Sequence, residues 1–215
     1  MRPVMCMVTD RRRLGTGWEA DLLGRVAAAA RAGVHLIQVR ERDLDSRSLA
    51  HFTSQAVDAV RGTTARVLVN DRIDIALAAG AHGVHLRADS VSAHRVRAIA
   101  PRGFVVGRSV HSPEELTRAN DGGGLDYVLF GTVFDTASKP GAPAAGLDAL
   151  RAIVAATSIP VLAIGGITAA RARQIGRAGA AGIAAIGLFA DGPPERLQIT
   201  AREASLAFDT PGTVP

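Results

Sequence analysis

Cysteine, aromatic residues and long apolar runs are all scarce in this chain of 215 residues. The lone cysteine, Cys6, excludes an internal disulfide and any cysteine-rich metal site. Aromatic residues make up 4% of the sequence, so few side chains could stack on nucleic-acid bases. No apolar run approaches the roughly 20 residues that a transmembrane helix needs. We therefore expect neither a nucleic-acid nor a membrane partner, with the cytoplasm as the default location.

Lysine is also scarce, and the positive charge of the chain comes from arginine. Lys139 is the only lysine among 25 basic residues, and the formal net charge is +5. The arginines are scattered among acidic residues, and Arg11, Arg12 and Arg13 form their only tight run. A coding bias toward arginine, alanine and glycine accounts for this charge without a polyanionic partner.

Short β-branched segments alternate with longer amphipathic segments along the chain. Most strand candidates are continuously apolar, which is typical of parallel strands covered on both faces. The predicted strands are Val4–Thr9, Val34–Arg40, Arg66–Asn70, Gly83–Leu86, Phe104–Ser109, Asp126–Gly131, Pro160–Ile164 and Gly182–Ile186. This count predicts an α/β fold, a single (β/α)8 TIM barrel over residues 1–208 with a flexible tail at 209–215. A doubly wound open sheet has the same alternation and is the alternative.

Capping residues mark several helix starts. Asp45 precedes an amphipathic segment and can serve as its N-cap. Ser112, followed by Pro113 and by Glu115 at the third helical position, has the order of a capping box. Thr168 is placed to begin the seventh helix, and the eighth is predicted from 193 to 208.

Polar side chains lie at the end of the second predicted strand, where a barrel of this type carries its active site. Gln38, Arg40 and Arg42 alternate there, so they share one side and can offer an amide and two guanidinium groups to an anion. The alternative is a surface ion pair between an arginine and Glu41.

Carboxylates follow the third and fourth predicted strands. Asn70 ends strand 3 and Asp71 follows it, and Asp89 and Ser90 come after strand 4. Proteins commonly hold Mg²⁺ through one or two carboxylates and leave the other ligands to water and phosphate. Asp71 and Asp89 are therefore candidate metal ligands. The alternative is that Asp71 caps the third helix and that Asp89 or Ser90 caps the fourth.

The segment after strand 6 is rich in hydroxyl groups and contains Thr136, Ser138 and Lys139. A lysine retained in a chain that otherwise uses arginine suggests a role for a compact ammonium group, such as contact with a phosphate. Chance retention of one surface lysine is the alternative interpretation.

Glycines after the last two strands can let backbone N–H groups approach a second phosphate, which is the site this fold uses most often. They are Gly165 and Gly166 after strand 7, and Gly187 after strand 8. Among the histidines, His111 follows strand 5 and can act as an acid or base in the pocket. His85 is the more interesting of the two histidines that flank strand 4.

Seven segments, taken in order, resemble the thiamine phosphate synthase and TenI superfamily over nearly the whole domain: Val8–Asp10, Ile37–Arg42, Val69–Ala76, Gly83–Leu86, Gly107–His111, Asp126–Gly141 and Ala163–Ile167. The most specific pieces are Asn-Asp-Arg at 70–72 and Thr-x-Ser-Lys at 136–139. The resemblance implies a transferase that joins hydroxymethylpyrimidine diphosphate to a thiazole phosphate and releases pyrophosphate. It also implies a homodimer.

The resemblance further implies roles for single residues. The pyrimidine diphosphate would be held by Gln38, Arg40, Arg42, Asn70 and Lys139. The thiazole phosphate would be bound by Thr136, Ser138 and the backbone around Gly165, Gly166, Ile186 and Gly187. Mg²⁺ would be bound by Asp71, with Asp89 as the second ligand. Ser109 would lie beside the pyrimidine, and the residues expected at the reacting groups are Lys139, Arg40, Ser109 and His111.

The sequence departs from both branches of the superfamily. Synthases usually have an aspartate where this chain has Ser90, and a lysine where it has Arg42. Thiazole tautomerases of the TenI branch have an acid–base histidine where this chain has Thr132. The residues assigned to pyrophosphate favour the synthase, because a tautomerase has no pyrophosphate to hold. A tautomerase and a barrel that only binds a phosphorylated ligand are the alternatives.

Overall fold

The computed structural model of the chain describes residues 3–136, 141 and 143–209. Within these residues eight parallel strands form a closed barrel in sequence order. The strands are β1 Val4–Val8, β2 Leu36–Val39, β3 Arg66–Asn70, β4 Gly83–Leu86, β5 Val105–Val110, β6 Tyr127–Phe130, β7 Val161–Ile164 and β8 Gly182–Ala185. Because β8 also pairs with β1, the barrel prediction is confirmed and the open sheet is excluded.

Helices connect the strands and surround the barrel. They are α1 Trp18–Arg31, α2 Ser46–Ala59, α3 Ile73–Ala78, α4 Ala93–Ile99, α5 Pro113–Ala119, α6 Gly146–Ala155, α7 Ala169–Arg177, α8 Gly187–Ala190 and α9 Leu197–Asp209. The predicted eighth helix is a 3₁₀ turn, Pro194–Arg196, followed by α9. The sequence did not predict α8, because one turn of helix is too short to show a periodic pattern.

The predicted caps are present. Asp45 accepts backbone N–H groups from the first turn of α2 at 2.9 and 3.0 Å. The Ser112 hydroxyl accepts the N–H of Glu115 at 3.2 Å, and Thr168 caps α7 in the same way. The return bond of the capping box differs from the prediction, because the Glu115 carboxylate accepts the N–H of His111 instead of that of Ser112. Each cap contributes about 1 kcal/mol to helix stability.

Some strand ends differ from the predictions by one or two residues. β2 begins at Leu36 and not at Val34, because the N–H of Val34 donates to Ala29 of α1 and leaves the strand ladder. At the end of the chain α9 extends to Asp209, and residues 210–215 of the predicted tail lie outside the described residues. None of the helices in the described ranges combines the length and apolarity needed to span a bilayer.

Alternating side chains divide the core into two layers. The outer layer lies between strands and helices and includes Met7, Ile37 and Val69. The inner layer fills the barrel and consists of Cys6, Val8, Leu36, Leu68, Tyr127, Leu129, Leu162 and Ala184. Cys6 is fully buried there, and burial raises the pKa of its thiol to about 12, as expected of an inert core residue. The same alternation directs polar residues near the strand ends to the top of the barrel interior.

We expect Gly182→Ala to weaken the seam between β8 and β1. An added Cβ would lie 2.0 Å from the carbonyl oxygen of Val4 and 2.8 Å from Leu162 Cδ2. Overpacking of this kind costs roughly 1–3 kcal/mol, so the urea midpoint should fall. Gly24→Ala is the control, because Gly24 lies within α1 with open space around it, and alanine should raise stability by about 0.5–1 kcal/mol. An unchanged midpoint for Gly182→Ala would contradict the tight packing at this seam.

Candidate active site

A cavity of about 1120 Å³ lies at the carboxyl ends of the strands. Its size exceeds that of a typical pocket for one drug-sized ligand. Most of the predicted site residues line it: Gln38, Arg40, Arg42, Asn70, Asp89, Ser109, His111, Thr136, Gly165, Gly166, Ile186 and Gly187. Asp71 lines a smaller adjoining cavity of about 190 Å³ together with Asn70 and Arg42. Ser138 and Lys139 lie outside the described residues, so their roles stay predictions.

The arginines after β2 form a positive wall of the cavity. Burial, together with the neighbouring charge of Arg42, lowers the pKa of Arg40, although a guanidinium stays charged at neutral pH. Neither guanidinium forms an ion pair with a carboxylate within the described ranges. Two guanidinium groups that face one cavity without a direct carboxylate partner are suited to bind a polyanion.

Glu41 does not form the surface ion pair with Arg40 or Arg42 that was the alternative prediction. The residue is 3% exposed and accepts the hydroxyl of Thr9 at 2.5 Å and the N–H of Arg11 at 3.1 Å. The Thr9 hydroxyl also accepts the backbone N–H of Arg40 at 3.0 Å. These bonds hold the backbone of Arg40 in place and leave its guanidinium available to a ligand.

Gln38 and Asn70 form a paired amide platform at the base of the cavity. The Gln38 Nε2 group donates to Asn70 Oδ1 at 2.9 Å. Gln38 is 2% exposed, and its Oε1 has no hydrogen-bond partner among the described residues. A buried acceptor without a partner costs about 1–3 kcal/mol, which a bound donor would recover. This oxygen is therefore a candidate contact for an N–H or O–H group of a ligand.

The two predicted metal ligands converge on one guanidinium. Arg87 Nη2 lies 2.5 Å from Asp89 Oδ2, and Arg87 Nη1 lies 3.5 Å from Asp71 Oδ2. The hydrogen bond from Arg87 lowers the pKa of Asp89. Asp71 has a left-handed backbone with φ of 62°, and its carboxylate also accepts the Ser90 hydroxyl. The arrangement gathers two carboxylates around a single positive charge.

The capping alternatives for these residues are not observed. No side chain caps α3, whose N-cap position is Arg72, and Asp71 contacts Ser90 and Arg87 instead. The N-cap position of α4 is Ser92, two residues beyond Ser90. Asp71 and Asp89 therefore line the cavities, Ser90 supports Asp71 through its hydroxyl, and none of the three caps a helix.

A chain of three polar side chains leads from the barrel interior into the cavity. Tyr127 Oη lies 2.8 Å from His85 Nδ1, and His85 Nε2 lies 2.9 Å from Ser109 Oγ. Burial, with added repulsion from Arg108 and Arg40, lowers the pKa of His85 to about 3, so the imidazole is neutral at pH 7. His85 had no role predicted from the sequence, and Tyr127 was not predicted as a site residue. The available signal was that both residues lie at inward-facing strand positions.

The corner after β7 brings backbone N–H groups and a cation to the other side of the cavity. Gly165 and Gly166 have φ of 102° and 61°, a left-handed backbone that favours glycine. A Cβ at Gly165 would lie 2.4 Å from Thr132 Cγ2. Arg171 donates to the carbonyl of Gly166 at 2.7 Å, and its guanidinium lies 4.6 Å from the ring centroid of Phe134. Arg171 was not predicted as a site residue, although its place in the first turn of α7 follows from the predicted cap at Thr168.

The short helix α8 begins at the same side of the cavity. Gly187 is its first residue and lines the cavity together with Ile186. Nearby, Arg13 forms an ion pair with Asp191 at 2.6 Å. The ends of β7 and β8 thus present glycine-rich backbone to one space, as in the usual phosphate site of this fold.

Thr132 and His111, the two residues relevant to a possible tautomerase activity, both line the cavity. Thr132 lines the cavity, so no imidazole is present where that branch has its acid–base histidine. His111 lies at the rim with its side chain 46% exposed, and its Nδ1 is 3.0 Å from the Glu115 carboxylate. Its exposure and its pairing with Glu115 are also compatible with a surface role.

Known proteins resemble this chain over most of its length. The family model described as thiamine monophosphate synthase matches residues 5–189. A thiamine-phosphate synthase of Roseiflexus sp. (strain RS-1) is 38% identical over 205 residues, covering 95% of this chain and 85% of that protein. A thiamine-phosphate synthase of Methanoculleus marisnigri is 42% identical over 181 residues, covering 84% of each.

A solved structure has the same fold. The thiamine phosphate pyrophosphorylase from Pyrococcus furiosus superposes with a TM-score of 0.82 at 30% identity, covering 96% of this chain and 97% of that chain. These matches confirm the resemblance that the sequence motifs indicated. The chain belongs to the thiamine monophosphate synthase family.

Proposed function

We propose that this chain is a thiamine phosphate synthase, a transferase that joins hydroxymethylpyrimidine diphosphate to a thiazole phosphate and releases pyrophosphate. Curated relatives of that name, similar over most of their length, support the activity. The observation that carries the proposal is one cavity with two separate sets of anion-binding groups. Arg40 and Arg42 lie on one side, and the corner at Gly165 and Gly166 lies on the other.

The reaction needs both ends of such a cavity. The bond between the pyrimidine methylene carbon and the diphosphate oxygen breaks, and its electron pair leaves with pyrophosphate. The thiazole nitrogen then forms a bond to the same carbon. The protein must stabilise charge on the leaving group and hold the nitrogen close to the carbon, and fixed positive groups and two anchored phosphates supply both effects.

We assign the diphosphate to the β2 and β3 side of the cavity. Arg40 and Arg42 would neutralise its charge, and the amides of Gln38 and Asn70 would orient the pyrimidine diphosphate. Lys139 would approach the diphosphate from the segment that follows Thr136. The absence of carboxylate partners for both arginines supports this assignment within the described residues.

We assign the thiazole phosphate to the side formed by the loops after β7 and β8. Backbone N–H groups around Gly165, Gly166, Ile186 and Gly187 would bind the phosphate, with Thr136 and Ser138 contributing hydroxyl groups. Arg171 lies beside Gly166, so its guanidinium adds positive charge to the same corner.

The donor set also fits a magnesium ion, which we propose as the cofactor. Within the described residues no group of three or more His, Cys, Asp and Glu side chains is placed to hold a metal. Mg²⁺ does not require such a group, because it commonly uses one or two carboxylates together with phosphate oxygens and water. Asp71 and Asp89 would hold the ion, which neutralises charge on the diphosphate when bound. Their convergence on Arg87 supports a site that two carboxylates can share with a cation.

Two alternatives remain distinct from this proposal. A thiazole tautomerase would use an acid–base histidine, and Thr132 in that position favours the synthase. A barrel that only binds a phosphorylated ligand would have no turnover. We also propose that the enzyme works in the cytoplasm on small phosphorylated substrates, and a homodimer stays a prediction from the family resemblance.

We expect the purified chain to form thiamine phosphate and pyrophosphate in equal amounts when both substrates and Mg²⁺ are supplied. Quantifying both products by chromatography tests the proposal. Isomerisation of a thiazole carboxylate tautomer without any pyrophosphate would support the tautomerase instead. A folded protein that binds both phosphates and yields neither product would support the non-catalytic barrel.

We expect Lys139→Ala to lower kcat by roughly 10²–10³, the loss that follows removal of one group that stabilises transition-state charge. The melting temperature should change little, because a lysine that faces the cavity contributes little to packing. Arg61→Ala is the control, since Arg61 lies in the exposed turn after α2, pairs with Asp58 and lines neither cavity. A large fall in melting temperature with full activity would show that Lys139 is structural.

We expect Asp71→Asn to raise the Mg²⁺ concentration needed for half-maximal activity by at least about tenfold, because a neutral amide is a poorer metal ligand. Asp89→Asn should have a similar or smaller effect, since this carboxylate is more exposed. Asp148→Asn provides a control, because Asp148 is exposed and pairs with Arg151 on α6. An unchanged magnesium titration for Asp71→Asn would remove Asp71 from the set of ligands.

A further inference from the structure

Three strands bring Tyr127, His85 and Ser109 into one line. His85 on β4 is in register with Gly107 on β5, and Gly107 is in register with Tyr127 on β6. Ser109 follows two residues later on β5, toward the cavity, where it belongs to the lining. The buried phenol thus reaches across β5 to the imidazole, and the imidazole connects it to a hydroxyl that a ligand can contact.

Gly107 makes this crossing possible. A Cβ at that position would lie 2.1 Å from Tyr127 Cζ and 2.5 Å from Tyr127 Oη. Any side chain there would displace the phenol from the His85 ring. The position of the Tyr127 ring against His85 therefore depends on Gly107, which lies on β5 between the two residues.

Only one assignment of donors and acceptors along this line gives every buried polar group a partner. Within the described ranges, His85 Nδ1 is the only partner of the Tyr127 hydroxyl, which is buried. If Nδ1 carried the proton, the phenolic O–H would have no acceptor, at a cost of about 1–3 kcal/mol. The phenol therefore donates to Nδ1, and the neutral imidazole carries its proton on Nε2.

The hydroxyl of Ser109 connects the imidazole to the cavity. Its oxygen lies 2.9 Å from His85 Nε2 and accepts the Nε2–H proton. A hydroxyl that accepts on one side keeps its own proton for another partner. Ser109 is half-buried and faces the cavity, so that proton is available to a bound ligand.

We infer that Tyr127 and His85 are positioning residues that fix Ser109 as a hydrogen-bond donor toward the substrate. The inference rests on the proposed function for the identity of the ligand. The acceptor that Ser109 meets is then a ring nitrogen of the pyrimidine with its lone pair free. A substrate that presents an N–H group at this point would be rejected, because that N–H and the Ser109 O–H are both hydrogen-bond donors and cannot pair.

The first test is spectroscopic and needs no turnover. In the full chain labelled with ¹⁵N-histidine, the two ring nitrogens of a neutral imidazole report which one carries the proton. His85 is assigned among the six histidines by the signals that His85→Gln removes. We expect the proton on Nε2 in the unaltered chain, and a mixture of both tautomers in Tyr127→Phe, which keeps the ring but loses the donor. A proton on Nδ1 in the unaltered chain would overturn the inference.

The second test is kinetic. We expect Tyr127→Phe to lower kcat about tenfold, the effect of losing one oriented hydrogen bond. Ser109→Ala should lower kcat at least as much, and the double variant should resemble Ser109→Ala, because Tyr127 acts through Ser109. A double variant whose loss of kcat equals the product of the two single losses would overturn the inference.

A matched control separates the relay from a general loss of stability. His35 is half-buried at the opposite end of β2, where its Nδ1 accepts the N–H of Met5 at 3.1 Å. His35→Gln should leave kcat unchanged even where it lowers the melting temperature. A chain that forms no thiamine phosphate would reject the proposed function, and the ¹⁵N spectrum would still decide the direction of the relay.

Discussion

Closure of the barrel through the pairing of β8 with β1 is the constraint on which the site depends. Eight parallel strands end at one rim, and strict alternation sends every second residue inward. Small residues at inward positions, such as Gly107 and Gly182, keep the lower interior tightly packed. Polar side chains at inward positions near the carboxyl ends of the strands therefore point into the cavity.

The distribution of charge around that cavity follows from which groups find partners inside the protein. Glu41 accepts hydrogen bonds from Thr9 and from the backbone of Arg11, and it forms no direct ion pair with Arg40. On the neighbouring strands, Asp71 and Asp89 share one guanidinium, which leaves a pair of carboxylates near the positive wall. A diphosphate with a divalent cation complements both features at once, because the anion matches the arginines and the cation matches the carboxylates.

The second anion site is built from backbone and not from side-chain charge alone. Gly165 and Gly166 adopt a left-handed backbone, and close contacts with Thr132 leave no space for a Cβ at Gly165. Arg171 supports this corner from the first turn of α7. The two sites follow different strands, β2 and β7, so each substrate can have its own anchor, which is what a reaction between two phosphorylated molecules requires.

Local sequence patterns predicted the fold well and the site in part. Continuously apolar strands and capping residues such as Asp45 and Thr168 carry short-range signals, so their positions were readable. Gln38 and Arg40 were readable because Gln38 lies near the end of β2 and Arg40 directly follows it. Two contacts could not be predicted from the sequence: the one between Tyr127 and His85, and the sharing of Arg87 by two carboxylates. Each depends on the register of strands distant in sequence. Lys139 and Ser138 lie outside the described residues and stay predictions.

The central claim is that two anions occupy one cavity at the same time without sharing a site. Calorimetric titration of the thiazole phosphate into the full chain, with and without saturating pyrophosphate and Mg²⁺, tests this claim most directly. We expect one thiazole phosphate bound per chain in both titrations, with affinity equal or higher when pyrophosphate is present. Competitive displacement, in which saturating pyrophosphate abolishes thiazole phosphate binding, would contradict it.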